Sequence, residues 1–96
     1  MKAIIKEVGQ MPRVEDIKND LATLQGLVGG YIEGVRLGQG IMLIVNEEGK
    51  LDGLPANFPL GNAVIVGTAV FVADGFDGEF TDLSDAQIET VMEQLT

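Results

Sequence analysis

The segment NAVIVGTAVFVA (Asn62–Ala73) decides the fold, because it is the strongest strand-forming stretch of the chain. Val, Ile, Thr and Phe favour extended backbone, and the segment is apolar on both faces apart from Thr68. A strand with two apolar faces has to be covered on both sides. The sequence therefore predicts one strand here, at the centre of a sheet.

The N-terminal third predicts a strand and then a helix. KAIIKEV (Lys2–Val8) is typical of a strand with Ile4 and Ile5 buried, and the following GQMPR breaks it. We expect a helix from about Glu15 to Val28, with acids in its first turn and glycines after its end. Its apolar residues at helical spacing are Ile17, Leu21, Leu24 and Val28.

Two further strands and a C-terminal helix complete the prediction. YIEGVRL (Tyr31–Leu37) and IMLIVN (Ile41–Asn46) flank a GQG turn, which indicates a hairpin. Ser84 and Gln87 have the spacing of a capping box, and an apolar stripe follows them. We predict a single α+β domain in the order β-α-β-β-β-α, with two helices against one small mixed sheet.

The composition excludes several chemistries. The 96 residues include neither Cys nor His, so thiolate zinc sites, disulfides and Ser-His or Cys-His nucleophile pairs are impossible. We expect a non-enzymatic protein without a cofactor or metal. The longest apolar run, Ala63–Ala73, is below the roughly 20 residues of a membrane helix, and MKAIIKEV does not fit a signal peptide. The sequence thus predicts a cytoplasmic protein.

The loop NEEGKLDGLPANFP (Asn46–Pro59) has two interpretations. In the structural one, Asn46 and Gly49 adopt left-handed backbone in a turn, and Leu54 and Phe58 point inward. In the functional one, four polar residues form a rim around a pocket. These residues are Glu47, Glu48, Lys50 and Asn57.

Anion binding is one hypothesis for the basic residues. Arg36 and Lys50 could clamp a small anionic ligand, within one chain or across a homo-oligomer interface, with Asn46 and Asn57 contributing from the loop. The alternative is that Arg36 pairs with an acid on an exposed sheet face. A homo-oligomer is consistent with a short sheet that leaves an edge uncovered.

The charge is distributed unevenly. The net charge is −9; all six basic residues lie at or before Lys50, and eight of the fifteen acids follow it. Such a surface repels nucleic acid and anionic membranes, so we expect direct binding to neither. Asp85, Glu89 and Glu93 recur every four residues, about 6 Å apart along a helix, and Asp82 precedes them. This spacing is close to a phosphate repeat and suggests a partner-binding face, although any amphipathic helix also needs a polar face.

DGFDGEF (Asp74–Phe80) supplies oxygen ligands in a turn. Its spacing lacks the EF-hand order, so the sequence does not predict a calcium site.

Four segments carry a family resemblance. LVGGYIEGVRL, LIVNEEGKLDGLPANFPLG, IVGTAVFVADG and FTDLSDAQIETVMEQL resemble the family called domain of unknown function 3846. The resemblance covers nearly the whole chain and rests most on GGYIE, NEEGKLDGLPAN and IVGT. It implies a small protein carried by bacteria, phages and integrated mobile elements, and it transfers no catalytic residue.

These observations leave three hypotheses for function. The first is a non-enzymatic cytoplasmic binding module, encoded by a phage or mobile element, that acts on a host protein or sequesters a small ligand. The second is an acidic DNA mimic that inhibits a DNA-binding host protein. The third is an enzyme that uses carboxylates alone, which requires Glu47 or Glu48 to be enclosed in a pocket.

Overall fold

The computed structural model describes residues 1–75 and 77–96 and confirms the α+β class. The described chain forms eight strands and two helices rather than four strands and two helices. In chain order the elements are β1 Lys2–Lys6, β2 Arg13–Asp16, α1 Leu21–Val28, β3 Ile32–Gly38, β4 Ile41–Asn46, β5 Ala56–Leu60, β6 Ala63–Val66, β7 Ala69–Asp74, β8 Phe80–Thr81 and α2 Asp85–Leu95.

The main sheet has the strand order β2-β1-β7-β4-β3, and the short β8 pairs with β7. Every pairing in the described chain is antiparallel, so the expectation of a mixed sheet is wrong in this detail. A separate hairpin, β5–β6, packs on one face of the main sheet. Strand β7 is therefore central, as its apolar sequence predicts, and its residues Ala69–Ala73 are buried.

The two faces of the main sheet are covered by different elements. One face packs against α1 through Leu24 and Val28, which join Ile5, Ile44 and Val72 in one core cluster. The opposite face carries the β5–β6 hairpin and α2. Its buried residues include Ile4, Leu43, Phe71, Leu83 and Val91.

The prediction of one strand over Asn62–Ala73 is wrong, because the chain turns at Gly67. Gly67 has a φ of +72°, a left-handed backbone that suits glycine. A Cβ at Gly67 would lie 2.8 Å from Leu54 Cδ1, so a larger residue there would force the Leu54 side chain to shift. The turn sends β6 into the hairpin and β7 into the main sheet.

The predicted start of the first helix at Glu15 is also wrong. Residues 13–16 form the edge strand β2, and the backbone N–H of Ile17 still donates to the Met1 carbonyl at 2.8 Å. The helix begins after Asp20, whose side chain accepts a hydrogen bond from the Thr23 N–H at 2.7 Å. It ends at Gly29, which adopts a left-handed φ of +80° and confirms the predicted cap.

Leu21 of the predicted apolar stripe of α1 is exposed, but several other local predictions are confirmed. Strands β3 and β4 form the expected antiparallel hairpin, and both Ile4 and Ile5 are buried. Ser84 and Gln87 form the capping box of α2. The apolar stripe of α2 packs into the core through Ile88, Val91, Met92 and Leu95.

Candidate functional site

Two grooves lie beside the β5–β6 hairpin. The groove between the hairpin and α2, here the helix groove, has a volume of about 370 Å³. The groove between the hairpin and strands β3 and β4, here the edge groove, has a volume of about 310 Å³. The helix groove is lined by residues that include Ile41, Phe58, Leu60, Phe71, Gln94 and Leu95, and the edge groove by residues that include Glu33, Val35, Val45, Lys50, Leu51 and Val64.

Phe58 and Leu54 fix the position of the hairpin. The Phe58 ring stacks on Phe71, with ring centroids 6.0 Å apart and an interplanar angle of 27°. Leu54 packs against Gly49 and Gly67. Both side chains therefore point inward, as the structural interpretation of the loop predicts.

Asn57 has a structural role in the same loop. Its Nδ2 donates to the carbonyl oxygens of Lys6 and Gly67, at 2.8 Å in each case, and its Oδ1 accepts from Lys6 Nζ. The contacts with Lys6 join the hairpin to the main sheet, and the contact with Gly67 joins β5 to the turn between β6 and β7. The amide of Asn57 is thus occupied by contacts within the chain, although ligand binding at this residue stays a prediction.

Asn46 is occupied in a similar way. Its Nδ2 donates to the carbonyl of Val28 at 3.1 Å, and its Oδ1 accepts from the Glu48 N–H at 2.8 Å. These bonds tie the end of α1 to the turn after β4. The predicted left-handed backbone at Asn46 and Gly49 is wrong, and Gly53 instead adopts a φ of +69° in this loop.

Arg36 and Lys50 lie on different faces of the β3–β4 hairpin. Arg36 is in register with Met42 on the α1 face, and its Nη1 donates to Asp74 Oδ2 at 2.5 Å. Lys50 lines the edge groove with Val35, on the opposite face. A single chain does not bring the two cations together, so the predicted anion clamp would need two copies of the chain.

The carboxylates of the loop are not enclosed. Glu47 and Glu48 are both exposed, and only Glu47 reaches the edge groove. Neither residue meets the requirement of the carboxylate-enzyme hypothesis, which needs one of them in an enclosed pocket. Among the described residues, no group of three Asp or Glu side chains converges in a way that could hold a metal ion.

The four residues of the predicted acidic surface differ in their contacts. Asp82 accepts a hydrogen bond from the Lys2 backbone N–H at 2.7 Å, which fastens the chain before α2 to β1. Asp85, Glu89 and Glu93 are exposed on α2. None of these three forms an ion pair within residues 1–75 and 77–96.

Sequence reasoning missed two polar residues with long-range contacts. Lys6 is 9% exposed and lies on the same face of β1 as Ile4. Its position two residues after Ile4 in an alternating strand was the available signal. Gln87 also reaches beyond its helix, since its Nε2 donates to the Gln39 carbonyl at 2.9 Å. No local pattern indicates that second contact.

Three charged groups have shifted pKa values, and all lie near β2 or the start of α1. Hydrogen bonds to Glu7 and Glu15 raise the pKa of Arg13 above its ordinary value. A hydrogen bond from the Met1 amino group lowers the pKa of Asp16, and hydrogen bonding from Thr23 lowers that of Asp20. These shifts follow from local contacts at exposed positions and do not mark either groove.

Comparison of the sequence with known proteins assigns the chain to a family. In the part of the chain that the structure describes, no helix is long and apolar enough to cross a membrane. No curated protein and no solved structure matches the chain. The model of the family described as Domain of unknown function (DUF3846) matches residues 1–96, which is the whole chain. The chain therefore belongs to the DUF3846 family.

Proposed function

We propose that the chain is a non-enzymatic binding module that holds a basic, partly apolar segment of a partner protein along α2 and the helix groove. The observation that carries this proposal is the row of exposed carboxylates on α2, Asp85, Glu89 and Glu93, which have no ion pair within the described chain. Their four-residue spacing matches the spacing of Lys or Arg on one face of a partner helix.

The helix groove supports the proposal because it offers apolar surface along the same helix, on a different side of α2 from the acids. Its floor contains Phe58 and Phe71, and its α2 wall contains Leu95 with the polar side chains of Thr90 and Gln94. Apolar anchors that enter such a groove supply most of the binding free energy, whereas exposed charges mainly raise the association rate and select the partner. A partner segment that uses both surfaces has to cross α2, with its cations on the acidic row and an apolar side chain in the groove.

The net charge of the surrounding chain favours the same class of partner. Residues 51–96 contain eight acids and no Lys or Arg. Of these acids, only Asp74 forms an ion pair in the described chain. A cationic segment is therefore attracted from a distance as well as in contact, and this attraction weakens as salt rises.

The test is a titration of the isotope-labelled protein with synthetic helical peptides, followed by NMR. One peptide carries Lys and Arg at four-residue spacing on one face and Leu and Phe on the other, and a second carries Glu in place of the cations. We expect shifts of the α2 and β5 amides with the basic peptide, and weaker binding in high salt.

Two variants that each lose three negative charges distinguish the effect of the α2 acids from the effect of the net charge. The first neutralises the acidic row (Asp85→Asn, Glu89→Gln, Glu93→Gln), and the control neutralises the exposed loop acids (Glu47→Gln, Glu48→Gln, Asp52→Asn). We expect about tenfold weaker binding in the first variant and a smaller loss in the control. Binding that is absent for the basic peptide, or equal in both variants, would overturn the proposal.

A DNA mimic is the second candidate, since the same carboxylates are about 6 Å apart along α2. Such a mimic would use the acids without the groove. Replacement of Leu95 by Ser distinguishes the two, because it removes an apolar wall of the groove and leaves the carboxylates in place. Peptide binding should fall in this variant, whereas competition with DNA for a DNA-binding protein should not.

A further inference from the structure

Strand β2 is an edge of the main sheet with an uncovered outer side. It pairs with β1 alone, and all four of its residues are exposed. Two large apolar side chains lie at this edge, Met11 with 73% and Val14 with 44% of its surface exposed. An unpaired edge with exposed apolar residues is a template for another strand.

The backbone of β2 has hydrogen-bonding groups that point away from β1. Ile17 N–H donates to the Met1 carbonyl at 2.8 Å, so Ile17 directs its backbone groups toward β1. Alternation along a strand then directs the backbone groups of Glu15 and Arg13 to β1 as well. The N–H and C=O groups of Val14 and Asp16 point outward, where a further strand would lie.

We propose that a second copy of this chain pairs with β2 in antiparallel orientation, with Val14 facing Val14 across a two-fold axis. In this register the outward N–H and C=O groups of the two Val14 residues bond to each other. The Asp16 N–H of each copy then reaches the Pro12 carbonyl of the other. The two main sheets become one continuous antiparallel sheet.

Charge complementarity selects this register. When Val14 faces Val14, Arg13 of each copy faces Glu15 of the other, so the interface contains two opposite-charge pairs in cross-strand positions. Within one chain Arg13 contacts Glu15 at 2.5 Å and Glu7 at 2.6 Å, and all three side chains are about half exposed. Exposed pairs of this kind exchange partners at little cost.

The other edge of the main sheet does not have this complementarity. In β3 an antiparallel two-fold axis at Gly34 or Val35 would place Glu33 opposite Val35 or Leu37, and an irregularity between Arg36 and Gly38 interrupts the register. Irregular edges hinder the addition of a strand. The occupant of the β2 edge is thus a second copy, paired through β2 on both sides.

The pairing should be weak, because four-residue strands bury less than the roughly 1,200 Å² of a stable interface. We expect a dissociation constant between about 10 µM and about 1 mM. Sedimentation velocity over that concentration range measures it. A chain that stays monomeric up to about 1 mM overturns the proposal.

Charge exchange tests the register. Arg13→Glu places acids at both positions 13 and 15, and Glu15→Arg places cations at both, so each variant alone should dimerise at least tenfold more weakly. Because their strands are complementary, an equal mixture of the two should form a heterodimer, and the double variant R13E/E15R should recover the homodimer. A control charge reversal on the other edge strand, Glu33→Arg on β3, should leave the dimer unchanged.

The following results would contradict pairing through β2. Single variants that dimerise like the parent, or a mixture that forms no heterodimer while each variant remains folded by circular dichroism, would show that dimers use another surface. Amide hydrogen exchange gives a second readout. In the dimer the N–H groups of Val14 and Asp16 should become protected as concentration rises, and unchanged exchange at both would also overturn the pairing.

Discussion

Lys6 and Asn57 exchange hydrogen bonds in both directions: Lys6 Nζ donates to Asn57 Oδ1 at 2.8 Å, and Asn57 Nδ2 donates to the Lys6 carbonyl at 2.8 Å. Lys6 belongs to β1 of the main sheet and Asn57 to β5 of the hairpin. The pair therefore fastens the hairpin to the sheet, and it holds the mostly buried ammonium group in contact with an amide oxygen.

Replacement of Asn57 by Ala should destabilise the protein by about 2 kcal/mol, because it removes three hydrogen bonds. The mostly buried Lys6 ammonium keeps only the Glu7 carbonyl as an acceptor, and the Lys6 and Gly67 carbonyls lose the amide that donates to them. Urea unfolding measures this loss, and hydrogen exchange should show the greatest loss of protection in β5 and β6. Asn62→Ala, at an exposed asparagine in the turn of the same hairpin, is the control. Equal effects of the two substitutions would contradict the role of Asn57.

Gly67→Ala should destabilise the protein more than the same change at Gly53. Both glycines have a left-handed φ, +72° and +69°, so both substitutions cost about 1 kcal/mol in backbone strain. Only Gly67 has a close neighbour, since its Cβ would lie 2.8 Å from Leu54 Cδ1 whereas Gly53 faces open space. Thermal or urea unfolding of both variants checks the difference; a cost at Gly53 that equals the cost at Gly67 would exclude a role for Leu54.

Gln87→Glu should keep one of the two contacts of this side chain and remove the other. A carboxylate can still accept from the Ser84 N–H in the capping box, but it cannot donate to the Gln39 carbonyl as Gln87 Nε2 does. We expect unchanged helix content by circular dichroism and faster hydrogen exchange in the β3–β4 hairpin.

Ser84→Ala is the matched comparison for that experiment. It removes the hydroxyl that accepts from the Gln87 N–H, and loss of such a cap costs about 1 kcal/mol. This variant should fray the first turn of α2. If Gln87→Glu also frays α2 and leaves the β3–β4 hairpin unaffected, the contact with Gln39 has no stabilising role.

Acid should destabilise the protein through Asp20. Hydrogen bonding from Thr23 lowers the pKa of the Asp20 carboxyl in the folded state. A group with a lowered folded pKa stabilises the fold above its unfolded pKa, about 4, and this contribution is lost as pH falls through the folded value. Asp20→Asn keeps a capping oxygen that does not titrate. Urea unfolding from about pH 6 to about pH 3 should show a shallower pH dependence in this variant, and an identical dependence would refute the assignment.

Local patterns predicted most of the secondary structure but not its division into layers. The strands predicted from KAIIKEV and IMLIVN, and the capping box at Ser84, depend on neighbours in sequence and are confirmed. The run Asn62–Ala73 is mostly apolar for two reasons: Ile65 of β6 packs on one face of the sheet, and β7 forms the centre of the sheet. Ala63 and Val64 of β6 are exposed. Composition does not distinguish the hairpin strand β6 from the central strand β7. Gly67 was the local signal for the turn between them.

The polar residues show a similar division. The carboxylates of α2 are exposed because helical spacing alone places them on the polar face. The environment of Arg36 was not predictable from local sequence. Its pairing with Asp74, 38 residues away, occurs only because β7 lies beside β4 in the sheet. The same argument applies to Lys6 and Asn57, which are 51 residues apart.

The central position of β7 also determines how the chain can fold. Strands β1 and β2 form one antiparallel ribbon and β3 and β4 another, and β7 lies between the two ribbons in the sheet although it follows both in sequence. A chain emerging from the ribosome therefore cannot join its ribbons until residues 69–74 have been made. Assembly then requires β7 to insert between them, a step governed by contacts distant in sequence and thus slow. Until that insertion, the inner edges of β1 and β4 are open to other strands, so we expect the nascent chain to be most prone to aggregation in this interval.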